Sequence, residues 1–188
     1  MTFHNDLDKY SNNIAIITNQ AQQISYKSLL NKADNIGTQI KKRSLVFVIC
    51  KNCFESVAGY IGFMRFRATQ VLISDAIDNV LFTNLLRVYK PAYIYLPTEK
   101  SGLNIDGKPV YSFGCYTLFK TNYKIDYTLH NDLALLLSTS GSTGSQKFVR
   151  QSYNNIYPGY TLIIDCTFGG NTSTNCDLID PNTQLHSP

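Results

Sequence analysis

Four short, largely apolar runs restrict the fold of this chain more than any other feature: Leu45–Cys50, Thr69–Ile73, Ala92–Leu96 and Leu133–Leu137. Each is too short for a core helix and is bounded by turn-forming or polar residues. Each therefore reads as an interior strand, buried on both faces. The stretches between the first three carry a different period. From Cys53 to about Phe66, the residues Val57, Tyr60, Ile61 and Met64 fall on one helical face, with Asn52 as the expected N-cap. Asp78 is placed to cap a helix through Leu81, Leu85, Val88 and Tyr89, which Pro91 stops. Strands alternating with helices predict an α/β fold, a mostly parallel sheet with flanking helices.

The flanks extend this pattern. Ile14–Ile17 reads as a short strand and Gln20–Gln23 as a turn. A helix follows from about Lys27 to Lys41, with Leu29, Leu30, Ala33, Ile36 and Ile40 inward and Gly37 inside it. Lys100–Gly107 is a polar turn region. Val110–Phe119 predicts one or two short strands, and Tyr123–Asn131 a connector. The tyrosines from Tyr89 to Tyr127 are accounted for by half-buried strands, which favour aromatic residues.

Composition narrows the function classes. All 17 Lys and Arg lie at or before Arg150, so residues 1–150 carry +7 and the remainder −3. A mild positive balance suits an anionic ligand such as a nucleotide. The densest basic cluster, Lys41-Lys42-Arg43, is expected to end the first helix and complement its dipole. No stacking-aromatic or groove-reading motif accompanies it, so nucleic acid is not an expected partner. No apolar run approaches the ~18 residues of a membrane span. The N-terminus lacks a basic segment leading into an apolar one, so the expected location is the cytoplasm. Cys50 and Cys53 form a C-x-x-C, but no second pair stands at zinc-ribbon spacing. Packing accounts for both, no metal site is predicted, and the five cysteines are read as thiols in a reducing compartment.

The fourth apolar run leads straight into Thr139-Ser140-Gly141-Ser142-Thr143-Gly144-Ser145-Gln146-Lys147, and a second strand-like run, Phe148-Val149-Arg150, follows. Such a segment has little side-chain bulk and many backbone N–H groups. Gly141 and Gly144 permit tight turns, and hydroxyls and a lysine can add donors and charge around phosphate oxygens. It is neither a Walker loop nor a dinucleotide fingerprint. The same composition also suits a plain solvated loop.

TSGSTGSQK resembles the signature loop of the adenylate-forming enzymes, the superfamily of acyl-CoA synthetases, nonribosomal-peptide adenylation domains and luciferases. Its usual form is T-S-G-[ST]-T-G-x-P-K-G, and Thr139 to Gly144 and Lys147 match it. Gln146 stands where proline is usual, and Phe148 where glycine is usual. Asn52 to Glu55 resembles the N-x-x-E that opens a helix in the family's first N-terminal subdomain. The following stretch, Met64-Arg65-Phe66-Arg67-Ala68, lacks the family's usual glycine. The resemblance implies that subdomain's fold in incomplete form. It also implies ATP and Mg²⁺ as cofactors, a carboxylic acid as substrate, and coenzyme A or a carrier-protein thiol as acceptor. Thr139, Ser140, Ser142, Thr143 and Lys147 would contact the β- and γ-phosphates, with Gly141 and Gly144 setting the turns. Catalysis would rest on positioning and charge stabilisation, with no catalytic residue of its own in this stretch. His4, His130 and His186 have no visible partner and are read as incidental.

The resemblance spans residues 1–157, with Gln151 to Ile156 as the expected start of the helix after the loop. Residues 158–188 change character: Asn, Thr, Gly and Ser dominate from Thr167 to Thr174, and no Lys or Arg remains. This divergent tail breaks in abruptly within an expected helix, which favours a truncated or interrupted coding frame. The family's later acidic residue, ribose-binding aspartate and mobile C-terminal domain are not recognisable here. Three readings follow: the N-terminal part of an acyl-adenylating ligase, a non-catalytic nucleotide-binding module or truncated remnant, and an α/β protein whose Ser-rich loop is structural.

Overall fold

A computed structural model describes residues 6–103, 105–138 and 148–156. Nine strands and three α-helices are present among them. The strands are β1 (Ile14–Ile17), β2 (Gln23–Ser25), β3 (Leu45–Cys50), β4 (Thr69–Ser74), β5 (Tyr93–Pro97), β6 (Gly107–Phe113), β7 (Tyr116–Thr121), β8 (Leu133–Ser138) and β9 (Phe148–Ser152). The helices are α1 (Tyr26–Gly37), α2 (Phe54–Arg65) and α3 (Asn79–Tyr89).

Seven strands form one sheet in the order β6-β7-β5-β3-β4-β8-β9. The central four, β5, β3, β4 and β8, are parallel, and antiparallel pairings close both edges. The alternation along β3 shows why these runs need cover on both sides. Val46 and Val48 join the core under α1 and α2, whereas Leu45, Phe47 and Ile49 join the core under α3. The chain steps from β3 to β4 through α2, then back across β3 to β5 through α3. Reversing direction at constant crossover handedness places the two helices on opposite faces. The expected α/β fold is therefore present, with antiparallel edges added to its parallel centre.

The strands expected over Ile14–Ile17, Leu45–Cys50, Thr69–Ile73, Ala92–Leu96 and Leu133–Leu137 are all present within a residue. Asp78 caps α3 as expected, accepting from the backbone N–H of Val80 (2.9 Å) and Leu81 (3.1 Å). Val88 departs from its expected inward position. It is exposed, and Phe82, Leu85 and Leu86 form the buried face of α3.

Other expectations are corrected. Gln23, expected in a turn, instead opens strand β2, paired antiparallel with β1. The first helix ends at Gly37, short of Lys41. The Thr38 hydroxyl donates to the Asn35 carbonyl at 2.9 Å, and the Gln39 amide donates to the same oxygen at 3.3 Å. Side chains thus take up a carbonyl that another helical turn would use. Lys41-Lys42-Arg43 consequently lies beyond the last turn, and Arg43 donates to the Leu129 carbonyl at 2.8 Å instead of facing the helix dipole. Cys53, not Asn52, occupies the N-cap of α2. Gln151 and Ser152 end β9, and Tyr153 to Asn155 form a turn where a helix start was expected. The cause is tertiary: the Tyr153 backbone N–H donates to the Asp132 carbonyl at 2.7 Å, and its buried hydroxyl donates to the Ala68 carbonyl at 2.7 Å.

α1 and α2 pack directly on each other. At Gly62 an added Cβ would lie 2.3 Å from the Ala33 carbonyl oxygen, so only glycine permits this approach. Arg65 fastens the same pair. Its Nε donates to Asp34 Oδ1 at 2.7 Å and its Nη2 to Asp34 Oδ2 at 3.2 Å, while Nη1 reaches Asp8 Oδ2 at 3.3 Å. Among the described residues no helix is long and apolar enough to cross a membrane.

Candidate functional site

Parallel α/β sheets bind ligands beyond the carboxyl ends of their strands, where neighbouring strands send their connections to opposite faces. Here that point lies between β3 and β4, whose following helices α2 and α3 sit on opposite faces. Lys51 and Asn52 leave β3 at this edge, and Asp75 and Ala76 leave β4. β5 ends beside them at Pro97.

The Ser/Gly-rich segment starts and returns at the same edge. β8 runs parallel to β4, with Leu137 opposite Leu72, and β9 returns antiparallel with Phe148 opposite Ser138. The sequence-predicted residues Thr139, Ser140, Gly141, Ser142, Thr143, Gly144 and Lys147 lie outside the described residues, as does the predicted tail, 158–188. What is described is how both ends of the segment are held. Ala134, Leu135 and Leu136 are buried. The Thr69 hydroxyl donates to the Leu133 carbonyl at 2.9 Å. Phe148 stands edge-on to Tyr89 of α3, with ring centroids 5.3 Å apart. Beyond β9, the Arg67 guanidinium lies 4.0 Å from the centroid of the Tyr153 ring.

His130 is not without a partner: its Nδ1 accepts from the Asp132 backbone N–H at 3.2 Å, a structural role at the entry to β8. His4 and His186 lie outside the described residues.

Two lysines near the carboxyl edge, Lys51 and Lys100, already have partners. Lys51 Nζ and Glu99 Oε1 are 2.9 Å apart, and the hydrogen bond from Lys51 holds the exposed Glu99 carboxyl below its usual range. Lys100 donates to the Asp75 carbonyl, tying the segment after β5 to the segment after β4.

The sequence pairs Cys53 with Cys50, but the fold does not. The Cys50 thiol points to the Val48 carbonyl, with sulfur and oxygen 3.6 Å apart. Cys53 instead meets Cys115, at the tip of the β6–β7 hairpin, and Glu55 of α2. One ligand atom from each of these three residues lies within 4.8 Å of the others. Burial pushes the Cys53 thiol up to about 12, and the exposed Cys115 thiol is also raised, again chiefly by desolvation. No local spacing signals this meeting. It follows from β7 lying beside β5, which brings the hairpin tip to the end of β3.

No protein-family profile and no curated protein sequence matches the chain. Solved structures do. The anthranilate CoA ligase AuaEII in complex with anthranoyl-AMP aligns at a TM-score of 0.58 and 14% identity, over 82% of this chain and 34% of that one. The O-succinylbenzoate Coenzyme A Synthetase MenE from Bacillus subtilis, in complex with AMP, aligns at 0.58 and 15%, over 82% of this chain and 43% of that one. The N-terminal subdomain of NpsA from Klebsiella oxytoca, in complex with anthranilyl-AMSN, aligns at 0.55 and 17%, over 81% and 41%. The chain thus spans less than half the length of each. Its fold is that of part of the N-terminal subdomain of adenylate-forming enzymes.

Proposed function

We propose that this chain is the phosphate-holding N-terminal part of an ATP-dependent acyl-adenylate-forming ligase. The observation that carries the reading is the position of TSGSTGSQK. This segment connects Ser138 and Phe148, paired residues at the carboxyl edge of a parallel sheet of matching fold. Thr139, Ser140, Ser142, Thr143 and Lys147 would then donate to the β- and γ-phosphates of ATP, with Gly141 and Gly144 turning the backbone toward them. The carboxylate of an acid substrate attacks the α-phosphate in line, and pyrophosphate leaves. The loop's task is to hold the leaving group and stabilise its charge. A thiol, from coenzyme A or a carrier protein, would accept the acyl group in a second step.

Magnesium would share the triphosphate charge. Among the described residues, the one drawn-together group of three metal-ligating side chains is Cys53, Glu55 and Cys115. Two sulfurs do not suit a hard cation. That cluster would therefore not hold magnesium, and phosphate oxygens would supply much of its coordination.

The test is calorimetric titration of Mg-ATP into the 188-residue protein and its Lys147→Ala variant. A charge-assisted phosphate contact contributes about 1.5–3 kcal/mol, so the variant should bind about 10–100-fold more weakly. Unchanged affinity in the variant would leave the Ser-rich loop a structural connector.

A further inference from the structure

We propose that Cys53, Glu55 and Cys115 form a binding site for a thiolate-preferring divalent cation of the zinc class. The three residues come from two elements that meet only in the folded chain. Cys53 is the N-cap of α2, Glu55 lies in its first turn, and Cys115 lies in the β6–β7 turn. Their ligand atoms already stand within 4.8 Å of one another. A tetrahedral zinc centre, with Zn–S near 2.3 Å and Zn–O near 2.1 Å, places such atoms roughly 3.5–4 Å apart. The closure needed is about 1 Å, within reach of side-chain rotation.

The backbone around the cluster is fixed before any metal arrives. Phe113 pairs with Tyr116, leaving Gly114 and Cys115 as a two-residue turn, and Gly114 has φ +53°. Such turns need glycine where φ is positive. A side chain at Gly114 would also collide with the Glu55 carboxylate, which lies directly against this turn. The Cys115 carbonyl accepts from the Thr98 backbone N–H at 2.7 Å, and the adjoining Tyr116 hydroxyl donates to the Ile49 carbonyl at 2.8 Å. Cys115 is therefore held over the end of β3, facing the start of α2.

The chemistry selects the cation. Two sulfurs and one carboxylate are borderline-soft donors, unsuited to magnesium or calcium and suited to zinc or cobalt. On binding, each thiol gives its proton to solvent and forms a metal–sulfur bond as thiolate, and the carboxylate binds ionised. Two thiolates and a carboxylate leave one negative charge beyond that of the dication. The Lys51 ammonium, hydrogen-bonded to Glu99 at 2.9 Å, also lies near both cysteines. Cys115 is exposed, so a fourth position can take water. The bound metal would join the edge hairpin to α2.

Cobalt(II) is the probe. The protein is the 188-residue chain with Cys166→Ser and Cys176→Ser, removing the two cysteines outside the described residues, kept reduced with a phosphine. The expected result is one cobalt per chain, a thiolate-to-cobalt charge-transfer band, and a higher unfolding temperature with zinc. Cys115→Ser, an exposed turn position, should abolish the two-thiolate spectrum and the thermal shift. Glu55→Gln should weaken cobalt binding about tenfold, and Cys50→Ser should leave the spectrum intact. Absence of the band overturns the site, as does a band that survives Cys115→Ser. A Cys53–Cys115 disulfide that persists in the phosphine, with no metal bound, also overturns it.

Discussion

Phe148 meets Tyr89 edge-to-face, with ring centroids 5.3 Å apart and planes at 83°. The contact joins the first residue of β9 to the last residue of α3, across the face opposite α1 and α2. The signature loop it resembles usually has glycine at this position. Here an aromatic ring holds the returning end of the Ser/Gly-rich segment instead. An aromatic pair of this geometry contributes about 0.5–1.5 kcal/mol beyond its buried area. Phe148→Ala should therefore cost about 1–3 kcal/mol in urea unfolding, with ATP affinity reduced as well. Phe148→Leu should recover part of the stability, and a Phe148→Ala variant as stable as the parent would contradict this role.

The Arg65–Asp34 contact makes a separable prediction. The guanidinium is mostly shielded, with 16% of its side chain exposed, whereas Asp34 is 41% exposed. The hydrogen bond that Asp34 accepts raises the Arg65 pKa further. Partial exposure screens the pair, so its coupling should be modest, about 0.5–1.5 kcal/mol. A double-mutant cycle of Arg65→Met and Asp34→Asn measures it. Zero coupling would assign the cost of Arg65→Met wholly to lost packing.

Gly62 sits where α2 crosses α1, and the obstacle to a side chain is the Ala33 backbone itself. Backbone cannot rotate away as a side chain can. Gly62→Ala should therefore destabilise by about 1–3 kcal/mol despite the better helix propensity of alanine. Unfolding by denaturant checks the sign, and a stabilised variant would show that the helices can separate freely.

The Cys53 thiol sets a pH dependence. Burial raises it from 9.0 to about 12 in the folded protein. A group whose folded pKa is raised contributes its full stability below the unfolded value and loses it as pH rises through the folded one. Stability should thus fall between about pH 9 and 12, by up to about 1.4 kcal/mol per pH unit for this group. Cys53→Ala should make the fall shallower in the metal-free protein, most clearly between about pH 9 and 10, because buried tyrosines such as Tyr60 and Tyr153, raised from 10.0, add to the loss above that. In alkylation near pH 8, exposed Cys115 should react well before Cys53.

Most of the sheet was legible because its central strands are buried on both faces, and continuous apolar runs such as Leu45–Cys50 can satisfy little else. The cap on α3 was legible because Asp78 has one local task. Helix ends were not, since the stop after Gly37 depends on Thr38 and Gln39 turning back onto a single carbonyl. The turn at Tyr153 depends on partners at Ala68 and Asp132, remote in sequence or outside any helical period. The candidate loop stands out through its resemblance to a signature motif rather than its composition, and its residues lie outside the described ones. The Cys53–Glu55–Cys115 cluster was invisible, because its spacing is set by strand order rather than by any motif.

The most direct test of the phosphate-holding reading is the ratio of ATP to AMP affinity in the 188-residue protein. Contacts to the β- and γ-phosphates exist only with ATP. ATP should bind at least about tenfold more tightly than AMP, and Lys147→Ala should bring the ratio close to one. Equal affinities in the parent protein, or a ratio that Lys147→Ala leaves untouched, would contradict it.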